Sequence, residues 1–191
     1  MLYCRRMNVI LPTKILNNKQ HYHHVPVMMD ECLEYLKVIN DGLYLDLTLG
    51  GGGHTLQILQ RGGRVLAFDC DEDAIKNANA PTSLLLKYQF EGKLEIVKSN
   101  FRNATNYILS SVAKRQDFDG ILLDLGVSSH QIDQAERGFA FSKDGPLSMR
   151  LDNDNNNKDK DKNTAAYVIN HFDCDRLANI LFDFGEETRS R

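Results

Sequence analysis

Short apolar runs alternate with segments of helical periodicity from Gly42 to Gly126. The apolar runs predict four strands, at 43–47, 64–69, 94–97 and 120–125. The segments between them predict helices over 55–60, from about 72 onward and over 106–114. Strands that alternate with helices usually pair in parallel through right-handed crossovers, with helices on both faces. The sequence therefore predicts an α/β fold, the first half of a Rossmann-like doubly wound sheet. The fourth run is so apolar that we expect its strand to be buried on both sides.

The character of the sequence changes after Gly126. Residues 127–151 are polar and rich in turn formers, and 153–163 is a low-complexity tract of Asn, Lys and Asp that predicts a solvated loop. Apolar spacing over 164–184 predicts two short helices, with Asp173 as the N-cap of the second. The sequence stops after 185–191 without a terminating element, so we expect a chain that is cut short. Such a chain would leave the outer edge of the fourth strand unpaired and would have low stability alone.

Composition narrows the class of protein. A length of 191 residues suits one ordinary domain, and a net charge of −3 gives no sign of a strongly basic nucleic-acid binder, although a local basic patch could still bind RNA. The four cysteines are far apart and form no CxxC pair, which favours free thiols in a reducing compartment. No apolar run is long enough to cross a membrane. Residues 1–29 are basic and contain no Asp or Glu, which fits either an organelle-targeting segment or an unstructured leader.

A glycine-rich loop follows the first predicted strand, with the sequence DLTLGGGGH over 46–54. Glycines allow the backbone to approach a ligand closely, and the helix that follows offers free amides to a polar group. The strict dinucleotide pattern GxGxxG is not met, because Thr55 stands where the last glycine should be. The loop therefore indicates either a nucleotide-like ligand or a generic tight turn.

Three more residues follow predicted strands. Asp69 ends the second strand, 19 residues after Gly50, and an acidic residue at about this distance often binds ribose hydroxyls. Both adenosyl and nicotinamide cofactors would fit this pair. Phe101 follows the third strand and would either stack on an adenine or pack in the core. Asp124 ends the fourth strand, where a carboxylate could orient an amine or accept its proton, while Gly126 leaves room for a substrate.

A hydrolase triad is the other chemistry that these residue types allow. Ser128, His130 and Asp133 would supply it, but no GxSxG elbow surrounds the serine. We therefore set the hydrolase aside.

Three long strings in the sequence carry a family resemblance: HHVPVMMDECLEYL, YLDLTLGGGGHT and DLGVSSHQIDQAERGFAFSKDGPLSMRLD. Together they resemble the bacterial and mitochondrial family of ribosomal small-subunit RNA cytosine-N4 methyltransferases, which use S-adenosylmethionine. The resemblance runs over about 24–191. It implies a methyltransferase sheet with the beginning of an inserted helical domain, small-subunit ribosomal RNA or the ribosomal subunit as partner, and no metal. The cofactor contacts that the resemblance implies fall on Gly52, Gly53, His54, Asp69, Phe101, Asp124 and Gln131.

The resemblance also implies roles in catalysis and substrate binding. Asp124 becomes the candidate catalytic residue, and Phe139 lies in a signature segment near the target-base entrance. Arg137 and Arg150 are candidates for contact with RNA phosphates, although ion pairs that pin the loop would explain them equally well. Ser148 departs from the family, which usually has Asp there, and the family continues beyond the point where this chain stops.

The expected organisation is a basic leader over 1–22, a cofactor-binding half over 23–127 and the start of a helical substrate-recognition insertion over 128–191. The protein would be cytoplasmic in a bacterium and would lie in the mitochondrial matrix in a eukaryote. Two alternatives stay open. One is a non-catalytic fragment that binds cofactor or RNA without turnover; the other is a nicotinamide-dependent dehydrogenase, supported only by the glycine loop and Asp69.

Overall fold

The structure is a computed structural model that describes residues 26–110, 117–153, 162 and 164–191. The chain divides into two compact units, Met1–Gly126 and Val127–Arg191.

A four-stranded parallel sheet forms the centre of the first unit. Its strands are β1 (Leu43–Asp46), β2 (Arg64–Asp69), β3 (Leu94–Lys98) and β4 (Gly120–Leu122), in the order β3-β2-β1-β4. This confirms the predicted Rossmann-like α/β sheet. The first three strands agree with the sequence pattern to within one residue at each end, but β4 ends three residues earlier than predicted.

Helices cover both faces of this sheet. They are α1 (Met29–Leu36), α2 (Gly53–Gln60), α3 (Glu72–Ala78), α4 (Leu86–Phe90) and α5 (Ala104–Ser110), the last preceded by a 3-10 turn at Phe101–Asn103. Alternate residues of β1 enter opposite layers: Tyr44 packs in the core that includes α1 and α2, whereas Leu45 packs in the core that includes Ala104 of α5. Helix α5 corresponds to the helix predicted over 106–114 but begins two residues earlier, at Ala104. Residues 111–116 lie outside the described residues.

The expectation that the fourth strand is buried on both sides is wrong. The exposed fraction is 48% for Ile121 and 42% for Leu123. The physical reason is position: β4 is the edge strand of the described sheet and pairs with β1 only. Its outer edge is unpaired in the described sheet, as predicted.

The second unit contains α6 (Ser129–Asp133), a 3-10 turn at Ala135–Arg137, α7 (Ala165–His171) and α8 (Cys174–Gly185). The two helices predicted over 164–184 are confirmed. Asp173 caps α8, because its Oδ1 accepts a hydrogen bond of 2.8 Å from the amide of Arg176. Most of the predicted 153–163 loop lies outside the described residues. None of the described helices is long and apolar enough to cross a membrane.

Candidate functional site

The strand order of the sheet reverses at β1. From β1 the chain passes to β2 and β3 on one side, and β4 then lies on the other side of β1. In open α/β sheets, ligands bind outside the carboxyl ends of the strands at such a reversal. The glycine loop follows β1 and Asp124 follows β4, so both predicted ligand segments flank the reversal point.

Hydrogen bonds attach the loop that follows β1 to both neighbouring strands. The amide of Leu47 donates to the carbonyl of Leu122 on β4 (3.0 Å), and the amide of Leu49 donates to the carbonyl of Phe68 on β2 (2.9 Å). The amide of Gly50 donates to Oδ2 of Asp69 at 2.7 Å. The predicted pair, glycine loop and acid, is therefore in direct contact.

Backbone amides already use part of the hydrogen-bonding capacity of the Asp69 carboxylate. Its Oδ1 accepts a hydrogen bond of 2.8 Å from the amide of Asp71. Burial raises the pKa of Asp69 above its usual range, while the amides of Asp71 and Gly50 act in the opposite direction. An ionised carboxylate has about four lone-pair sites, so it retains capacity for the hydroxyls of a ligand.

The sequence analysis missed a buried carboxylate at the end of β1. Asp46 is 1% exposed, and its Oδ2 accepts a hydrogen bond of 2.6 Å from the hydroxyl of Thr55, which is fully buried in α2. Its Oδ1 accepts a hydrogen bond of 3.0 Å from the amide of Thr48. Burial raises the pKa of Asp46, and the two hydrogen bonds partly oppose that effect. The only signal in the sequence was a charged residue inside an apolar run.

Thr48 extends this network to the segment that follows β4. Its Oγ1 accepts a hydrogen bond of 2.8 Å from the amide of Asp124. Asp124 itself is exposed. A side chain of the loop after β1 therefore holds the backbone of the predicted catalytic residue after β4.

The glycines of the loop differ in what surrounds them. A Cβ on Gly52, whose φ is +77°, would lie 2.5 Å from Leu85, and a Cβ on Gly53 would lie 2.3 Å from Pro26. These two glycines thus make room for other parts of the protein. A Cβ on Gly50, by contrast, would meet nothing closer than 3.9 Å.

The amino end of α2 is the part of the loop that suits a polar ligand group. No side chain of the described residues caps α2. The first amides of a helix lack intrahelical acceptors, so they are donors for a ligand. His54, the second residue of α2, is buried, and its Nε2 lies 3.2 Å from the carbonyl of Val27. Its side chain therefore contacts the segment before α1, while its amide belongs to the uncapped turn.

Phe101 lies beyond the carboxyl end of β3, at the start of the 3-10 turn, and is 40% exposed. The side chain of Asn100 caps this turn by accepting a hydrogen bond of 3.0 Å from the amide of Arg102. Phe101 therefore follows a strand at the same edge of the sheet as Asp69 and Asp124, and its exposed side chain is accessible for stacking.

Four predicted residues belong to the second unit. Gln131 is buried and forms a capping box with Ser128, whose amide donates to its Oε1 at 2.9 Å. Arg137 is buried too, and its Nη2 donates to the carbonyls of Arg150 (3.2 Å) and Leu151 (2.8 Å). These contacts favour the loop-pinning interpretation of Arg137 that the sequence left open.

The other two residues of the second unit are less deeply buried. The side chain of Arg150 forms an ion pair with Asp152, with Nε 2.7 Å from its Oδ1. Phe139 is half-buried. Within the described residues, no group of three His, Cys, Asp or Glu side chains is placed to hold a metal ion.

A family comparison identifies the kind of protein to which this geometry belongs. The model of the MraW methylase family matches residues 21–191. The chain belongs to this family. Membership implies a cofactor of the S-adenosylmethionine type.

The chain is also similar to individual proteins. Ribosomal RNA small subunit methyltransferase H from Heliobacterium mobile is 39% identical over 173 residues, which are 89% of this chain and 52% of that protein. The chain thus spans about half the length of this curated relative. Among solved structures, the C-terminal domain of precorrin-6Y C5,15-methyltransferase from Rhodobacter capsulatus matches 58% of this chain and 55% of that chain, with 18% identity and a TM-score of 0.44. An rRNA methylase from Streptococcus thermophilus matches 46% of this chain and 50% of that chain, with 22% identity and a TM-score of 0.32.

Proposed function

We propose that this chain carries the S-adenosylmethionine site of a methyltransferase that modifies N4 of a cytosine in small-subunit ribosomal RNA. One observation carries the proposal. The loop after β1 is hydrogen-bonded to Asp69 on one side and to the backbone of Asp124 on the other, at the point where the strand order reverses. The name of the relative from Heliobacterium mobile supports the RNA substrate.

The residues at this edge fit the chemical groups of the cofactor. Asp69 would accept hydrogen bonds from the ribose hydroxyls, and the exposed ring of Phe101 would stack on the adenine. The uncapped amides of Gly53 and His54 would bind the carboxylate of the methionine part. The imidazole of His54 has no part in this assignment, because it contacts the carbonyl of Val27. Gly52 would contribute through its backbone alone, since a Cβ there would lie against Leu85.

When bound, the cofactor would supply a methyl group on a positively charged sulfur, which can leave as a neutral thioether when its bond to the methyl carbon breaks. The exocyclic amine of cytosine is a weak nucleophile, since its lone pair is delocalised into the ring. The carboxylate of Asp124 would accept a hydrogen bond from this amine, orient it towards the methyl group and take the proton released when the new C–N bond forms. Alignment of the two reacting atoms would supply several kcal/mol of the rate enhancement. The cytosine must leave its stack to reach the site.

The second unit would contribute to substrate binding. From the family resemblance, Gln131 stays a predicted cofactor contact, and Phe139 and Arg150 stay predicted substrate contacts. Arg137 donates hydrogen bonds to two carbonyls of its own loop, so we assign it the role of holding the shape of this loop. Contact with RNA phosphates is the alternative role of Arg137. The partner would be the small ribosomal subunit, in the cytoplasm of a bacterium or the mitochondrial matrix of a eukaryote.

Calorimetry with S-adenosylmethionine tests the cofactor assignment. We expect Asp69→Asn to weaken binding at least about tenfold, because a hydrogen bond to a charged group contributes about 1.5–3 kcal/mol. Glu91→Gln is the matched control, because Glu91 is exposed and precedes β3, at the opposite edge of the sheet. This variant should bind S-adenosylmethionine with the affinity of the wild type. Circular dichroism checks that both variants are folded. Binding of nicotinamide cofactors but not of S-adenosylmethionine would select the dehydrogenase alternative.

Transfer of a labelled methyl group to small ribosomal subunits tests the reaction. Nuclease digestion and mass spectrometry should find N4-methylcytidine, and Asp124→Ala should lower the rate strongly. A product at another atom would refute the N4 assignment. Cofactor binding without any transfer would favour the non-catalytic alternative.

A further inference from the structure

Asp124 lies beyond the part of β4 that the sheet holds in place. The last sheet hydrogen bond at this end is accepted by the carbonyl of Leu122, and Leu125 is 68% exposed. Gly126 has nothing within 4 Å of the position of a Cβ. Among the described residues, the bond from the amide of Asp124 to Oγ1 of Thr48 is the hydrogen bond that attaches 123–126 to the rest of the unit.

Thr48 is itself held firmly. Its amide donates to Oδ1 of Asp46, and the other oxygen of that carboxylate accepts the hydroxyl of Thr55. Asp46 and Thr55 are buried, so the anchor lies inside the first unit. The buried hydrogen bond between Asp46 of β1 and Thr55 of α2 therefore supports Thr48, and Thr48 in turn fixes the backbone position of Asp124.

We infer that Thr48 is a positioning residue that fixes Asp124 at the carboxyl edge of the sheet. The inference rests on the proposed function, in which Asp124 contacts the substrate, and on the cofactor contact that the family resemblance implies for the same residue. The hydroxyl of Thr48 performs this task, whereas its backbone amide serves Asp46. The two roles can thus be separated by substitution.

Thr48→Val removes the hydroxyl, retains the shape and leaves the amide bond to Asp46 intact. Amide hydrogen exchange at Asp124, measured by nuclear magnetic resonance, should become about two- to tenfold faster, as expected for the loss of one ordinary hydrogen bond. Thr48→Ser retains an acceptor oxygen and should restore slow exchange. Thr82→Val is the matched control, since Thr82 lies in an exposed turn between α3 and α4. Unchanged exchange at Asp124 in Thr48→Val would overturn the inference.

Affinity for S-adenosylmethionine tests the functional part. If Thr48 acts through Asp124, then Thr48→Val weakens binding, Thr48→Ser restores it, and Thr48→Val adds no further loss to Asp124→Ala. Additive losses would overturn the inference, because Thr48 would then act independently. If no variant and no wild-type chain binds S-adenosylmethionine, the proposed function fails, and the exchange rates alone decide whether Thr48 positions Asp124.

Discussion

Replacement of Thr55 by valine tests the buried network beneath the site. Thr55 is 0% exposed, and its hydroxyl is 2.6 Å from Oδ2 of Asp46, which is 1% exposed. Valine has nearly the same shape as threonine, so packing in α2 changes little. The substitution leaves one oxygen of a buried carboxylate without its donor, in a place that solvent does not reach.

The cost follows from the burial of that oxygen. A buried acceptor that loses its partner costs about 1–3 kcal/mol, and a charged acceptor lies at the upper end. The cost depends on pH, because burial raises the pKa of Asp46 and the Thr55 hydrogen bond opposes that rise. A carboxyl whose pKa is raised by folding contributes stability that is present below its unfolded pKa of about 3.9 and is lost as pH rises through the folded pKa. Removal of Thr55 enlarges the shift, so Thr55→Val should be more destabilising at neutral pH than near pH 4.

Urea denaturation followed by circular dichroism measures this difference. The free energy of unfolding, extrapolated to water, should fall by about 1–3 kcal/mol at neutral pH and by less near pH 4. Thr105→Val is the control, because Thr105 is exposed on α5, and surface substitutions change stability by about 0.5 kcal/mol or less. A loss no larger than that of the control, or a larger loss at acid pH, would refute the reasoning.

Three further substitutions test other parts of the structure. Asp46→Asn removes the charge, so the free energy of unfolding of the variant, measured by urea denaturation, should fall less than that of the wild type as pH rises from about 4 to about 7. An equal fall in the two proteins would contradict this. Gly145→Ala places a Cβ 2.0 Å from the carbonyl oxygen of Ala135, and the required backbone shift should cost about 1–3 kcal/mol and speed proteolysis of the second unit. Arg137→Lys replaces a planar fork by a single ammonium, which should cost about 1–3 kcal/mol and speed amide exchange near Leu151, whereas unchanged exchange would remove Arg137 from loop pinning.

The sequence predicts the sheet well because each of the first three strands is a distinct apolar run. The carboxyl end of β2 carries Asp69, β3 leads to Phe101 and β4 leads to Asp124, so parallel pairing alone places these residues at one edge. The pattern fails where tertiary contacts decide. Helix α4 is only five residues long, too short for a clear period, and β4 ends early because no second strand pairs with it in the described sheet.

The glycine loop shows a second way in which prediction from the sequence is incomplete. The resemblance assigned Gly52, Gly53 and His54 to the cofactor, and that assignment stays a prediction. The Cβ positions of Gly52 and Gly53 and the imidazole of His54, however, lie against Leu85, Pro26 and Val27, respectively. A sequence motif does not show whether a glycine makes room for a ligand or for another part of the protein. Loss of cofactor binding in a variant of Gly53 would therefore be ambiguous, since displacement of Pro26 explains it equally well.

Asp46, Thr48 and Thr55 unite these observations. They lie at a strand end, in a loop and in a helix, and only Asp46, a charged residue inside an apolar run, stands out in its local sequence. The 3.0 Å bond from the amide of Thr48 to Asp46 is local, whereas the fold brings the hydroxyl of Thr55 within 2.6 Å of the other carboxylate oxygen. Burial makes both bonds costly to lose. A loop that must hold a charged ligand against solvent needs such a support, because glycines by themselves leave the backbone free to move. The stiffness of the proposed site thus resides in the buried acid beneath the loop, and the glycines determine only the path that the loop can take.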